Sequence, residues 1–231
     1  MSELFGIKKI AEIKNGFSEK FGIPRQSGLC DKVLSRIVFE PEFRIREAFR
    51  GLEDFSHIWL IWQFSKAVRD EWSPTVRPPR LGGNKRLGVF ATRSPFRPNP
   101  LGLSCVKLER IEYTDELGPV LVVSGADLMD GTPIYDIKPY IPYADVQSDA
   151  TEGFTGNIQR VYLRVEISDE FKNILGCENT ESVTQILTED PRPAYQNDPE
   201  RIYKMSYNGF SIAFCVSDGK ATVTEVFKEK I

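Results

Sequence analysis

Along this chain, short runs of alternating apolar and polar residues are closed again and again by glycine or proline. Alternation at period two predicts strands that bury one face. It predicts strands over 4–13 and 35–39, and a buried one over 56–64, where HIWLIWQF is dense in β-formers. Residues 43–49 read as a short turn or helix. A short strand at 88–91 follows a long polar loop over 70–84. Runs 103–112 and 120–126 read as an antiparallel pair joined around 115–118. Asp130-Gly131-Thr132-Pro133 is a tight turn leading into a strand over 134–137 that Pro139 stops. Many short strands with Gly/Pro punctuation point to a β-barrel or sandwich.

The pattern changes after 147, where the chain becomes polar and glycine-rich. This stretch, 146–157, reads as a linker between an N-terminal unit at 1–145 and a C-terminal one at 158–231. In the second unit 161–167 alternates as a strand. Runs 169–175 and 180–188 are helical, with Thr180 as a candidate cap. Three strands follow at 201–207, 209–216 and 221–227, with turns at Asn208-Gly209 and Asp218-Gly219. The fold class is therefore mainly β, an N-terminal β-barrel with a small C-terminal α+β unit.

Composition is that of a soluble globular protein, 41% apolar and 27% charged. No apolar run is long enough for a transmembrane helix, and the N-terminal residues lack a signal-peptide pattern, so no membrane partner is expected. Cys30, Cys105, Cys177 and Cys215 match neither a zinc spacing nor a disulfide framework, which predicts a cytoplasmic location. The net charge of −3 hides an asymmetry. Between Arg69 and Arg110 there are nine basic and three acidic residues, a local excess of +6, leaving −9 for the rest. A basic face able to attract a polyanion is compatible with an acidic whole.

Candidate chemistry concentrates in two segments. Residues 88–103, GVFATRSPFRPNPLGL, set Arg93 and Arg97 among Pro95, Pro98 and Pro100. Three prolines in six residues exclude a helix or a central strand, so this is a rigid cationic loop suited to gripping an anion. Residues 130–140, DGTPIYDIKPY, gather Asp130, Thr132, Tyr135, Asp136 and Lys138. Regular alternation from 134 would place Ile134, Asp136 and Lys138 on one face, with Asp136 and Lys138 able to pair. His57, the single histidine, excludes a two-histidine metal site, and no metal is expected. It is either a hydrogen-bonded core histidine or a polar group at a pocket edge. No Rossmann fingerprint or P-loop is present. DPRPAYQ at 190–196 fixes a loop whose Arg192, Tyr195 and Gln196 either bind RNA or cement the two units.

These motifs resemble the TrmO family, also called YaeB or TsaA-like proteins. The resemblance rests on FGIPRQSGL at 21–29, GLEDFSHIWLIWQF at 51–64, RPPRLGG at 77–83, GVFATRSPFRPNPLGLS at 88–104, DGTPIYDIKPYIPYAD at 130–145 and DPRPAYQ at 190–196. It implies a homodimeric methyltransferase that carries S-adenosyl-L-methionine on a β-barrel. The implied reaction methylates N6 of threonylcarbamoyladenosine at position 37 of threonine tRNA. Carried onto this chain, the resemblance implies Asp136, Tyr135, His57 and Arg25 as catalytic candidates. It implies Arg86, Arg93, Pro98, Asn99, Leu103, Asp130, Thr132 and Ile134 around the methyl donor, with 127–129 and 101–103 enclosing its adenine. Gln26, Arg97, Lys138, Arg192 and Tyr195 are implied at the tRNA. The alternative is a non-catalytic tRNA-binding protein of the same fold.

Overall fold

The computed structural model of the protein describes residues 5–68, 71–78, 85–156, 160–193, 196 and 198–229. Leu4 of the first expected strand, Asp70 and residues 79–84 of the expected loop, Asn157 of the expected linker and Tyr195 lie outside the described residues. The elements run in the order β1 (Ala11–Lys14), β2 (Leu34–Phe39), β3 (His57–Gln63), β4 (Thr75–Val76), β5 (Leu87–Gly88), β6 (Leu101–Thr114), β7 (Gly118–Ser124) and β8 (Pro133–Pro139). Then come α1 (Pro142–Asp145), β9 (Arg164–Glu166), α2 (Asp169–Leu175), α3 (Cys177–Thr188), β10 (Tyr203–Tyr207), β11 (Phe210–Ser217) and β12 (Lys220–Lys228).

Six strands close into an antiparallel barrel in the order β1-β2-β7-β6-β3-β8, sealed where Ala11 pairs with Ile134. Closure removes the edges that an open sheet would expose. The alternation of β3 (HIWLIWQ) sends Ile58, Leu60 and Trp62 inward, where they meet Ile13, Ile37, Val106, Leu121 and Ile134. The first strand is shorter than the pattern predicts. Phe5 and Ile7 are exposed and face no core, whereas Ile10, just ahead of β1, packs against the barrel core. The expected strand over 88–91 also differs. Pairing ends at Gly88, and Val89–Ala91 forms a tight turn in which both Thr92 N and Thr92 Oγ1 donate to the Val89 carbonyl.

The alternation expected across 134–138 is broken by a bulge. Ile61 pairs with Asp136 but the next residue, Trp62, pairs with Ile134, leaving Tyr135 as the extra residue. Ile134 therefore points into the barrel core, while Asp136 and Lys138 sit outside as an ion pair at 2.9 Å. The three do not share a face, because the extra residue shifts the phase of the pleat.

The second core is a four-stranded sheet, β10-β11-β12-β9, in which β9 joins β12 in parallel and the other pairs are antiparallel. Its two hairpins turn at Asn208-Gly209 and Asp218-Gly219 with φ of 50° and 76°, and of 51° and 73°. Consecutive positive φ values are what a tight type I′ hairpin requires. Ser168 caps α2 by accepting from Phe171 N at 3.3 Å. Thr180 does not cap the next helix. α3 begins at Cys177, after Gly176 at φ 76°, and the Thr180 hydroxyl bonds back to the Gly176 carbonyl at 2.7 Å from inside the helix. This core also draws on the β1–β2 connection. Phe17, Cys30 and Val33 are buried in it, with Phe21, Ile23 and Leu29 packed alongside. A segment from the first half of the chain thus fastens the two units together.

Candidate functional site

The β1–β2 connection crosses the mouth of the barrel, and a cavity of about 730 Å³ lies beneath it. That volume falls in the range of roughly 300–1,000 Å³ typical of small-molecule sites. One wall is Phe21, Ile23, Pro24, Arg25 and Gln26, and the opposite wall is the end of β3 with Trp62, Gln63 and Phe64. Leu101, Gly102 and Leu103 come from β6, Arg93, Pro95 and Arg97 from the proline-rich loop, and Asp127, Met129 and Thr132 from the β7–β8 connection. Pro191 closes the site from the C-terminal unit.

Gly102 is at this place because Trp62 is. The two pair directly across β3 and β6, and the indole lies where a side chain at 102 would begin. Trp62 Nε1 donates to Ser104 Oγ at 2.9 Å, and Ser104 Oγ donates to Asp127 Oδ1 at 2.5 Å. The chain of bonds carries an ordered carboxylate to the cavity wall. Burial pushes the Asp127 carboxyl above the usual carboxylate range, while the bonds from Ser104 and Ser27 and the charge of Arg93 pull it back.

A second chain of contacts runs along the rim. Arg93 Nη1 donates to Gln26 Oε1, and Gln26 Nε2 donates to the Arg25 carbonyl at 2.5 Å. The Arg25 guanidinium donates to the carbonyls of Asp190, at 3.2 Å, and Arg192. Arg192 in turn grips Asp190 with two bonds, Nε to Oδ1 at 2.8 Å and Nη2 to Oδ2 at 2.9 Å, and lies over the Tyr203 ring. Asp190 holds a left-handed φ of 47°, a conformation non-glycine residues rarely adopt and that clusters at functional sites. The C-terminal loop is therefore built into the site rather than merely adjacent to it.

The structure brings Arg25, Gln26, Arg93, Arg97, Leu103 and Thr132 to the cavity wall, with Thr132 Oγ1 tied to the Met129 carbonyl at 2.7 Å. Tyr135 reaches it indirectly. Its hydroxyl donates to Gln63 Oε1 at 2.5 Å, and Gln63 itself lines the cavity. Arg192 acts through its backbone carbonyl. The other expected residues are not on this wall. His57 lies on the outer face of β3 opposite Lys107, its Nδ1 2.9 Å from Ser56 Oγ and its ring against Tyr140. Asp136 and Lys138 pair with each other outside the barrel, and Ile134 is inside its core. Asp130 Oδ1 accepts from Asn15 N at 2.9 Å and closes the turn. Pro98 and Asn99 are exposed on the loop, and Arg86 reaches Thr75 Oγ1 at 3.3 Å on the β4–β5 hairpin. Sequence reading did not reach Lys20, Trp62, Gln63, Phe64 and Lys66. Trp59 lines the cavity as well, so the alternation of β3, which turns Trp62 inward and Trp59 and Gln63 outward, gave no signal for which of them reach it.

Fold and site together define a β-barrel protein with a cavity of small-molecule size at its mouth, between apolar walls and an arginine rim, with Pro191 of the second unit at one side. The model of the tRNA-methyltransferase O N-terminal domain matches residues 12–146, and that of the TrmO C-terminal domain matches 160–229. The chain belongs to the tRNA-methyltransferase O family. A tRNA (adenine(37)-N6)-methyltransferase of Eikenella corrodens is 50% identical over 173 residues, 74% of this chain and 97% of the relative. One from Escherichia coli K12 is 38% identical over 223 residues, 93% of this chain and 94% of the relative. The crystal structure of TrmO from Pseudomonas aeruginosa superposes with a TM-score of 0.78 at 34% identity, covering 97% of this chain and 100% of that one.

Proposed function

We propose that this chain is an S-adenosyl-L-methionine-dependent methyltransferase that modifies adenine-37 of tRNA, with N6 of threonylcarbamoyladenosine in threonine tRNA as the acceptor. The observation that carries the reading is a cavity walled by the N-terminal matched half, with Arg25, Arg93 and Asp127 among its lining, and touched by Pro191 of the C-terminal one. The alternative, a tRNA-binding protein without chemistry, is not favoured, because relatives similar along nearly their whole length are named as methyltransferases.

The wall residues fit the donor. Its carboxylate suits the arginine rim, its adenine the apolar surfaces of Leu101, Leu103 and Met129, and its cationic groups the part-buried Asp127 carboxylate. When bound, the donor supplies a methyl group already activated by its sulfonium. The chain's own task is to position the acceptor nitrogen and exclude water. That nitrogen belongs to a ureido group and is a poor nucleophile. In this reading the N–CH3 bond forms as the S–CH3 bond breaks, the N6 proton is given up to solvent, and Arg97 and the Gln63 amide hold the charge that its loss puts on the carbamoyl oxygen; an arginine also suits the threonyl carboxylate. Self-association as a homodimer is part of this reading. Leu103, 56% exposed, and Ile61 pair on the outward side of β6 and β3 beside the cavity, and an apolar face there favours a second copy. We also place the protein in the cytoplasm, a reducing compartment compatible with four free cysteines.

The test is transfer of labelled methyl to threonine tRNA with and without the threonylcarbamoyl group. Label confined to the modified tRNA is the expected result; no label in either, from folded protein that binds both ligands, refutes it. Arg93→Ala weakens donor binding by about 10- to 100-fold, the worth of a charge-assisted bond, measured by calorimetry. A dissociation constant within about twofold of wild type removes Arg93 from the donor site.

A further inference from the structure

The β4–β5 hairpin carries a surface that neither hydrophobic core uses. Thr75 pairs with Gly88 and Val76 with Leu87, and Val89 N donates to the Pro74 carbonyl at 3.0 Å. Val89 is buried and anchors the hairpin to the protein. Its neighbour Phe90 is 73% exposed, and Trp72, three residues before β4, is 50% exposed. The two rings are stacked in the open, centroids 6.2 Å apart and planes 29° from parallel. A pair of large rings held together at the surface presents a broad flat apolar face to solvent, and such a face marks an interaction site.

The charges around the rings decide what partner fits. Arg77, Lys85 and Arg86 are exposed on the same hairpin, and among the described residues none of them pairs with a carboxylate. They lie in the segment that carries +6 in a chain of net −3. Exposed stacked aromatics flanked by unneutralised cations match single-stranded RNA, whose bases stack while its phosphates take the positive charge. Phe90 is also three residues before Arg93, so the hairpin leads straight into the cavity rim.

We propose that Trp72 and Phe90 form a stacking platform for unpaired tRNA bases next to the modified nucleotide, with Arg77 and Lys85 holding the adjoining phosphates. This rests on the tRNA methyltransferase reading and adds to it a substrate-recognition surface outside the cavity. The platform binds substrate; it does not touch the reacting atoms. Truncating it therefore raises KM for tRNA and leaves turnover at saturation intact.

The experiment is steady-state methyl transfer to modified threonine tRNA by wild type, W72A/F90A and W72F. W72A/F90A is expected to raise KM for tRNA about tenfold, with kcat and donor affinity within about twofold. W72F keeps a ring and stays within about threefold of wild type. Both rings are exposed, so Tm moves by no more than about 2 °C. R77A/K85A lowers the slope of log affinity against log salt by about 1.4, the single-strand value for two lost phosphate contacts. A tRNA KM for W72A/F90A within twofold of wild type overturns the proposal. So does a shift of that variant to a smaller species in sedimentation, which would make the patch a protein interface. Failure of wild type to methylate any tRNA refutes the functional reading instead, and normal wild-type transfer with an unchanged variant refutes only the platform.

Discussion

Gly102→Ala tests the architecture of the site with a single methyl group. A Cβ at 102 would stand 2.2 Å from Trp62 Cε2, 2.4 Å from Cζ2 and 2.7 Å from Cδ2, where ordinary contact begins at 3.4 Å. Relief requires the indole to withdraw by about 1.2 Å, the difference between 3.4 and 2.2. It has little room to do so. Trp62 is buried, its ring is 4.3 Å from that of Phe64, and its Nε1 is committed to Ser104 Oγ at 2.9 Å. Overpacking of a core costs about 1–3 kcal/mol, and losing the indole bond adds about 1 kcal/mol. The expected destabilisation is about 2–4 kcal/mol, which lowers Tm by roughly 4–16 °C in a chain of this size. Displacing Trp62 also frees Ser104 and unsettles Asp127 on the cavity wall, so donor affinity falls together with stability. Thermal unfolding and calorimetry of G102A read both effects. W62F/G102A recovers about half of the lost stability, since a smaller ring vacates the clash. A Tm within about 1 °C of wild type with unchanged donor affinity would refute the reasoning.

Asp127→Asn should be stabilising in a pH-dependent way. The native carboxyl is held above its unfolded value of about 3.9 by burial, so wild type loses stability as pH rises through the native value, and the asparagine does not. The stability gain of D127N over wild type grows from pH 4 toward 7 and is largest where Asp127 is ionised; a difference flat with pH would contradict the raised value. The same variant weakens donor binding, because the wall loses its only carboxylate among the described residues. Arg192→Ala leaves the Asp190 carboxylate without its two-pronged partner and releases the loop that holds Arg25, at a cost of about 1–3 kcal/mol and with a drop in methyl transfer. Arg192→Lys does not rescue it, because a point charge cannot reproduce the fork; wild-type turnover and stability in R192K would dismiss this role.

Much of the fold was legible locally. The period-two runs located the barrel strands β2, β3, β6 and β7, and the Asn-Gly and Asp-Gly pairs located both hairpins of the second sheet, because strand alternation and positive-φ turns are properties of a few consecutive residues. The motifs were specific enough to point to the family before any geometry was known, and the proline-rich loop was legible as a rigid cationic rim because proline restricts the backbone wherever it stands.

The membership of the site was decided elsewhere. Asp136 faces outward with Lys138 because a bulge at Tyr135 shifts the phase of β8, and a bulge is set by the partner strand. Gly102 is explained only by the indole across from it, 40 residues away in sequence. Arg25 is held by carbonyls 165 and 167 residues further along, and Phe17 to Val33 belong to a core made mostly of C-terminal residues. Composition and spacing set what each stretch can form by itself, since those preferences act within a few residues. Which side chains meet at the cavity depended on strand register and on the packing of two units against one connection, and those contacts exist only once the chain has closed on itself.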